Sequence, residues 1–291
     1  MTRQTTAQPD LRLATPTSHR VPSRSKLAIN EVTTYRWSLD EDVEGYLQAG
    51  VEAIGVWRPK LVRFGEERGI DLLGESGLKV SSLSWAGGFT GSNGHSFVDA
   101  VDDTINTIST AAALQADCVV IVSGARAGHT TNHARELLVD ALREAGDFAG
   151  ELGLELAIQP MHTLFASEWS FLTNLDDTLD ILSRCNHPAL KIAFDVYHLW
   201  QEPRLVERLP EIASHCATVR LSDWRSPPRS DSDRCLPGDG CIPLREIVRA
   251  FLAAEYGGFF ELEIWSEELW GSDYAQLLDL CQTRFDELIA P

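Results

Sequence analysis

The sequence predicts an α/β chain folded as a single closed (β/α)8 (TIM) barrel. Strand-like runs alternate with helical ones from residue 26 onward, at about 30 residues per unit. Such alternation forces parallel strands joined by right-handed crossovers. Eight such units occupy about 265 of the 291 residues, close to the roughly 250 residues of a closed eight-stranded barrel. The competing architecture is an open, doubly wound sheet. It is disfavoured because no G-x-G-x-x-G follows the first strand.

The elements follow in order. LAINEVT (27–33) reads as the first strand. Ser38 is placed to cap a helix whose first turn carries Asp40, Glu41 and Asp42, where the helix dipole favours carboxylates. That helix ends near Gly50. VEAIGVW (51–57) is the second strand, and Pro59 opens the next helix, where its missing N–H is no loss. GLKVSSLSW (77–85) is the third strand, followed by the glycine-rich AGGFTGSNG and a helix from Ser96 to Leu114. DCVVIVSG (117–124) is apolar throughout, as a strand covered on both faces must be. A helix spans 132–151. LELAIQP (154–160) is the fifth strand, with a helix over 174–184. ALKIAFDV (189–196) and a helix over 203–212 come next, then CATVRLSD (216–223) and a long loop. A helix from Pro243 to Ala254, the strand GFFELEIW (258–265) and a helix over 272–288 complete the set. The domain is expected to cover 26–291, behind a disordered tail over 1–25 rich in Ser, Thr, Pro and Arg.

Bulk composition narrows the function. Net charge is −18 with a pI near 4.8, which sets the chain against nucleic-acid backbones and anionic lipid. The six cysteines form no C-x-x-C pair, so neither a zinc motif nor a disulfide framework is expected. The N-terminus has no apolar signal core, and no run approaches the roughly 20 apolar residues of a membrane span. A soluble, cytoplasmic protein without a nucleotide cofactor is the expectation; a homo-oligomer remains open.

In such a barrel the reacting groups sit at the C-terminal ends of the strands. Those ends carry Asn30 and Glu31, Trp57 and Arg58, Trp85, Gln159 and His162, Asp195 and His198, Arg220, Asp223 and Arg225, and Glu261 and Glu263. Glu261 and Glu263 alternate with Leu262 and Ile264, so both point to one side. Charge directed into a barrel needs a cation, organic or metallic. Arg220 is the natural organic one. The turn-rich segment RSPPRSDSDRCLPGDG (225–240) is either a surface connection or a lid, and AGGFTGSNG is a second candidate lid. The indoles Trp57, Trp85 and Trp265 suit either a core or the face of a sugar ring.

Taken together, IGVWRPKL, IQPMHT, FDVYHLW, VRLSDWR, LPGDG with IPL, and FFELEIWS resemble the xylose-isomerase-like barrel superfamily, in its sugar (phosphate) isomerase/epimerase branch. The resemblance implies a sugar or sugar phosphate as small-molecule partner. It also implies a divalent metal (Mn, Mg or Co) held by Glu on strand 5, Asp on strand 6, His on strand 7 and Glu on strand 8. The two glutamates would move the proton next to a carbonyl. Asp195 and Glu263 fall on two of these positions, and His198 falls where the family touches substrate oxygen. Two positions depart: Gln159 stands at the strand-5 glutamate, and Arg220 at the strand-7 histidine. The implied metal set is therefore Gln159, Asp195 and Glu263, with Glu263 and His198 catalytic. Substrate contacts are expected from Trp57, His162, His198, Arg220, Asp223 and Arg225. Gln keeps a carbonyl oxygen but loses charge, and Arg brings a permanent positive charge. The guanidinium is then expected in the metal's place, bridging Asp195 and Glu263. A sugar-binding barrel without turnover is the alternative. The superfamily's abasic-DNA nuclease branch is set aside by the acidic charge and the missing ligands.

Overall fold

Every expected barrel strand forms, and the strands pair in parallel around a closed ring. The computed structural model describes residues 26–290; the tail expected over 1–25 lies outside them. The strands are β1 (Leu27–Asn30), β2 (Ala53–Trp57), β3 (Lys79–Gly87), β4 (Cys118–Val122), β5 (Glu155–Ile158), β6 (Leu190–Asp195), β7 (Cys216–Leu221) and, after a two-stranded insertion, β10 (Phe260–Leu262). β1 pairs with β2 on one side and β10 on the other, which closes the barrel. The insertion is an antiparallel hairpin of β8 (Asp223–Trp224) and β9 (Arg234–Cys235).

Helices surround the ring: α1 (Leu39–Gln48), α2 (Arg58–Phe64), α3 (Glu66–Ser76), α4 (Phe97–Ala113), α5 (Thr131–Glu151), α6 (Leu175–Cys185), α7 (Val196–Leu199), α8 (Leu205–Ile212), α9 (Leu244–Ala253) and α10 (Tyr274–Ile289). Their starts are fixed by local chemistry. Ser38 and Ser96 form reciprocal capping boxes with Glu41 and Asp99, and Asn174 accepts from the Asp177 N–H. Among the described residues no helix is long and apolar enough to cross a membrane.

β1 and β10 end well before their expected ends, each for a local reason. β1 stops at Asn30 because the Asn30 side chain accepts the Val32 N–H (3.1 Å) and turns the chain. β10 stops at Leu262; beyond it the Ile264 N–H goes to the Thr33 hydroxyl (3.1 Å) instead of a neighbouring strand. Glu263 is still tied to β7, its N–H donating to the Leu221 carbonyl (3.2 Å), and its side chain lines the cavity at the barrel mouth.

The loop 225–240 is anchored from within. The Asp223 carboxylate accepts N–H groups from Trp224, Gly238, Gly240 and Ile242 at 2.8–3.0 Å. A side chain at Gly240 would overlap that carboxylate. This turn holds the loop so that β9 points Arg234 back into the barrel.

Candidate active site at the barrel mouth

The site is built on a guanidinium. Arg220, on β7, is 0% exposed and is the largest fully buried side chain. Register places it opposite Glu261 on one side and Asp195 on the other. Its Nη2 lies 3.2 Å from Glu261 Oε1, and its Nη1 is ion-paired with Glu263 Oε2. Nη1 also donates to Gln159 Oε1 (3.1 Å), and Nη2 to the hydroxyls of Ser82 and Ser84. Glu261 is further satisfied by Asn30, Ser81 and Ser82 at 2.7–2.8 Å. There is room for its carboxyl because residue 55 is glycine; a Cβ there would come within 2.7 Å of it.

A second guanidinium stands beside the first. Arg234 Nη1 donates to Asp195 Oδ2 (3.0 Å), and its Nη2 lies 3.2 Å from His198 Nε2. The guanidinium carbon sits 4.3 Å over the Tyr197 ring. Gln159 links the two halves, donating from Nε2 to Asp195 Oδ2 (3.2 Å) while accepting from Arg220. The expectation that Arg220 bridges Asp195 and Glu263 is therefore corrected. Arg220 pairs with the two strand-8 glutamates, and Arg234 takes Asp195. The reason is reach: Asp195 turns toward the hairpin, where its Oδ1 caps α7 through the Tyr197 N–H (2.9 Å).

Burial and charge tune these groups. Burial works to raise Asp195, but Arg234, His198 and Arg220 together hold its carboxyl below the usual range. Burial pushes His198 down to about 3, against the pull of Asp195 and reinforced by Arg234. His198 is thus neutral. Guanidinium only donates, so His198 Nε2 must accept and its proton rests on Nδ1. Burial lifts the Glu263 carboxyl above its ordinary value, and Arg220 and Arg234 only partly offset this.

A cavity of about 240 Å³ opens above these groups. Its floor is Gln159, His198, Arg234 and Glu263; its walls are Trp85, Phe165, Trp169 and Trp265; Glu168, Asp231 and Ser232 lie at its edge. Trp265 stacks on Trp85 (5.7 Å, 15°) and donates its indole N–H to Glu263 Oε1 (3.0 Å).

Several expected contacts lie elsewhere. Trp57 is buried behind Trp265 in an edge contact at 5.8 Å. His162 packs on Trp224 and hydrogen-bonds Gln201 (3.1 Å). Asp223 is spent on loop N–H groups, and Arg225 pairs with Asp233 and Glu268. Arg220 supports the floor from below. The sequence reading missed Arg234 as a site residue. Its signal was present: an arginine preceding Cys-Leu, a pair buried together with it, inside an otherwise polar loop.

Gln159, Asp195 and Glu263 do not fit a divalent cation as they stand. Each is engaged by a guanidinium that a dication would have to abut or displace. Among the described residues, no group of three or more His, Cys, Asp or Glu side chains is placed to hold a metal.

The family model described as the xylose isomerase-like TIM barrel matches residues 47–283. The chain belongs to this family. A crystal structure of a Sinorhizobium meliloti 1021 protein superposes on this barrel with a TM-score of 0.85 at 29% identity, covering 91% of this chain and 99% of the other. A 3-dehydroshikimate dehydratase of Pseudomonas putida is 23% identical over 79% of this chain and 36% of its own length. A fructoselysine 3-epimerase of Escherichia coli O157:H7 is 26% identical over 50% of this chain and 51% of its own. The matches thus span about a third and a half of these two curated relatives.

Proposed function

We propose that this xylose isomerase-like barrel acts on a small, unphosphorylated polyhydroxy carbonyl compound by proton transfer beside the carbonyl, without a divalent metal. The observation that carries the reading is the placement of Arg220 against Gln159, Glu261 and Glu263, with Arg234 on Asp195. Two fixed cations supply the positive charge that a metal would otherwise bring to this pocket. The cavity, at about 240 Å³, is smaller than a drug-sized site of roughly 300–1,000 Å³, so the reacting unit is small. The likeness to relatives named as a dehydratase and a 3-epimerase supports the same substrate type.

The geometry favours one-base chemistry. Glu263 is the carboxylate on the cavity floor, and burial raises its affinity for a proton above that of an ordinary carboxylate. The group facing it from β5 is the amide of Gln159, which cannot exchange protons. Epimerisation requires proton transfer on both faces of a planar enediolate. Aldose–ketose isomerisation requires only one face: Glu263 takes the proton from one carbon and returns it to its neighbour, while the hydroxyl proton passes between the two adjacent substrate oxygens of the cis-enediolate. During the transfer, charge developing on oxygen is stabilised by Arg234 and by the Nδ1–H of neutral His198.

A second reading rests on one observation: both oxygens of Glu263 are engaged, by Arg220 and by the Trp265 indole. A carboxylate held so tightly suits a binding pocket without turnover. Incubation with unphosphorylated aldo- and ketohexoses in D₂O, followed by NMR, separates the two. Deuterium entering beside the carbonyl, and lost in Glu263→Gln, is the expected result. Ligand binding with neither deuterium uptake nor interconversion of aldose and ketose would overturn the catalytic reading in favour of the second.

A further inference from the structure

A second pocket, of about 330 Å³, lies outside the barrel between the β1–α1 loop and α2. It is lined by Tyr35, Arg36 and Trp37 of the loop, by the start of α1, and by Lys60, Arg63 and Phe64 of α2. It shares no lining residue with the cavity at the barrel mouth.

Its charge runs against that of the chain. Acidic side chains outnumber basic ones by 43 to 25, so arginines outside the barrel readily find carboxylates. Arg58 takes Asp103, Arg135 takes Asp177, and Arg284 takes Asp239. Arg36 and Arg63 do not. Both are exposed in this pocket, and among the described residues neither guanidinium has a hydrogen bond or an ion pair. The carboxylate in the lining, Glu41, is turned to the Ser38 N–H (2.8 Å) and hydroxyl (3.0 Å) in the capping box of α1. Lys60 lines the same pocket and is 4% exposed. Its ammonium is held in the fold by the Thr34 carbonyl (2.9 Å) and the Asp42 carboxylate, which use two of its three N–H groups. Two unpaired guanidiniums and a buried ammonium with one N–H left over therefore share one concave surface.

The walls are aromatic and set in place. Tyr35 stacks on Trp270 (4.4 Å, 23°). Trp37 meets the edge of Tyr274 at 5.0 Å and lies over Gly45, where a Cβ would overlap its ring. The Tyr274 hydroxyl accepts the Arg36 N–H (3.2 Å) and fixes the backbone between these two rings. Phe64, in the last turn of α2, is the third ring. Walls already held this way can take up a flat organic group at little ordering cost.

Arginine forks match the oxygens of phosphate and carboxylate. Three cations around one ligand favour a dianion over a monoanion, and hence phosphate over carboxylate. The net charge of −18 repels phosphate-bearing surfaces such as nucleic acid and anionic lipid, which leaves a small soluble molecule. We propose that this pocket binds a small phosphate monoester whose organic part carries a ring, at a site separate from the cavity at the barrel mouth. The free charge and the rings of this pocket carry the assignment, and it needs nothing from the function proposed above.

Phenyl phosphate, inorganic phosphate and benzyl alcohol separate the charge from the ring. Each is titrated into the full chain at constant ionic strength and followed by calorimetry. Phenyl phosphate is expected to reach half-saturation at about tenfold lower concentration than inorganic phosphate, and benzyl alcohol to bind more weakly than either. Arg36→Gln/Arg63→Gln, whose changes lie at exposed positions, should weaken phenyl phosphate at least about tenfold and leave the melting temperature unchanged. Arg234→Gln, at the mouth, should leave phenyl phosphate binding as it is. Absence of saturable binding would overturn the proposal, as would equal affinity for phenyl phosphate and inorganic phosphate. Binding that survives Arg36→Gln/Arg63→Gln, or is lost in Arg234→Gln, would overturn it too.

Discussion

Two buried ion-pair networks lie in this protein, one outside the barrel and one on the floor of the cavity at its mouth. Outside the barrel, between β1, α1 and α2, Lys60 donates to Asp42 and to the Thr34 carbonyl, with the hydroxyls of Thr34 and Tyr46 closing the group. Glu31 sits against it, its carboxyl pushed well up by burial and by the charge of Asp42. At the barrel mouth, Arg220 and Arg234 hold Glu261, Glu263 and Asp195. Both networks are sealed from water on most sides. The difference is titratability. The outer network answers charge by binding protons: burial lifts Asp42 to about 6 even against Lys60. The mouth network answers charge with two guanidiniums that never release theirs. A lysine–carboxylate pair that can neutralise itself is structural filling. Guanidiniums locked against carboxylates beneath an open cavity make a preorganised electrostatic floor.

The largest effect that separates them is on stability. Arg220→Met leaves Glu261 and Glu263 buried and unpaired, and should lose about 3–5 kcal/mol in urea denaturation. Lys60→Met should lose distinctly less, because Asp42 can take up a proton. Equal losses would show that the two networks are alike.

Acid sharpens the contrast because His198 of the mouth and Asp42 of the outer network titrate in opposite directions. His198, held near 3 when folded, binds a proton more readily unfolded, so its contribution is present above about pH 6.5 and is lost as pH falls toward 3. The full span is on the order of 5 kcal/mol. Asp42, raised to about 6, binds a proton more readily when folded, so its contribution is present below about pH 4 and is lost as pH rises to 6, on the order of 3 kcal/mol. Denaturation across pH 3–7 should therefore show a shallower acid loss in His198→Asn and a steeper one in Asp42→Asn. Identical profiles for the two variants would contradict the assignment.

A smaller effect is expected at the donor that faces substrate. Arg234→Gln keeps a hydrogen-bond donor near Asp195 but removes the fixed charge beside the reacting oxygen. Deuterium exchange into substrate should fall about 10²-fold, as for loss of one preorganised oxyanion donor, with the melting temperature changed far less than by Arg220→Met.

Most of the fold was legible because it rests on local rules. The period of strand and helix, the caps at Ser38 and Ser96, and the apolar run at β4 each state their structure in a few adjacent residues. The partnership of Glu261, Glu263 and Arg220 was legible too, since alternating glutamates in an apolar strand demand a cation inside the barrel. Arg234 was not, because its position depends on a hairpin whose turn is fixed by Asp223, a residue whose carboxylate looked equally suited to substrate. The roles of His162 and Trp57 were misplaced for a related reason: nearness to a strand end in sequence does not fix which way a side chain turns once the chain leaves the ladder.

The central claim is that fixed guanidinium charge stands where the family resemblance implies a metal. Elemental analysis of the purified protein, repeated after incubation with excess Mn²⁺ and desalting, tests it most directly. The account predicts no stoichiometric Mn, Mg, Co or Zn in the wild type, and a gain of metal in Gln159→Glu/Arg220→His. One equivalent of metal retained by the wild-type chain, with Arg220 and Arg234 unchanged, would contradict it.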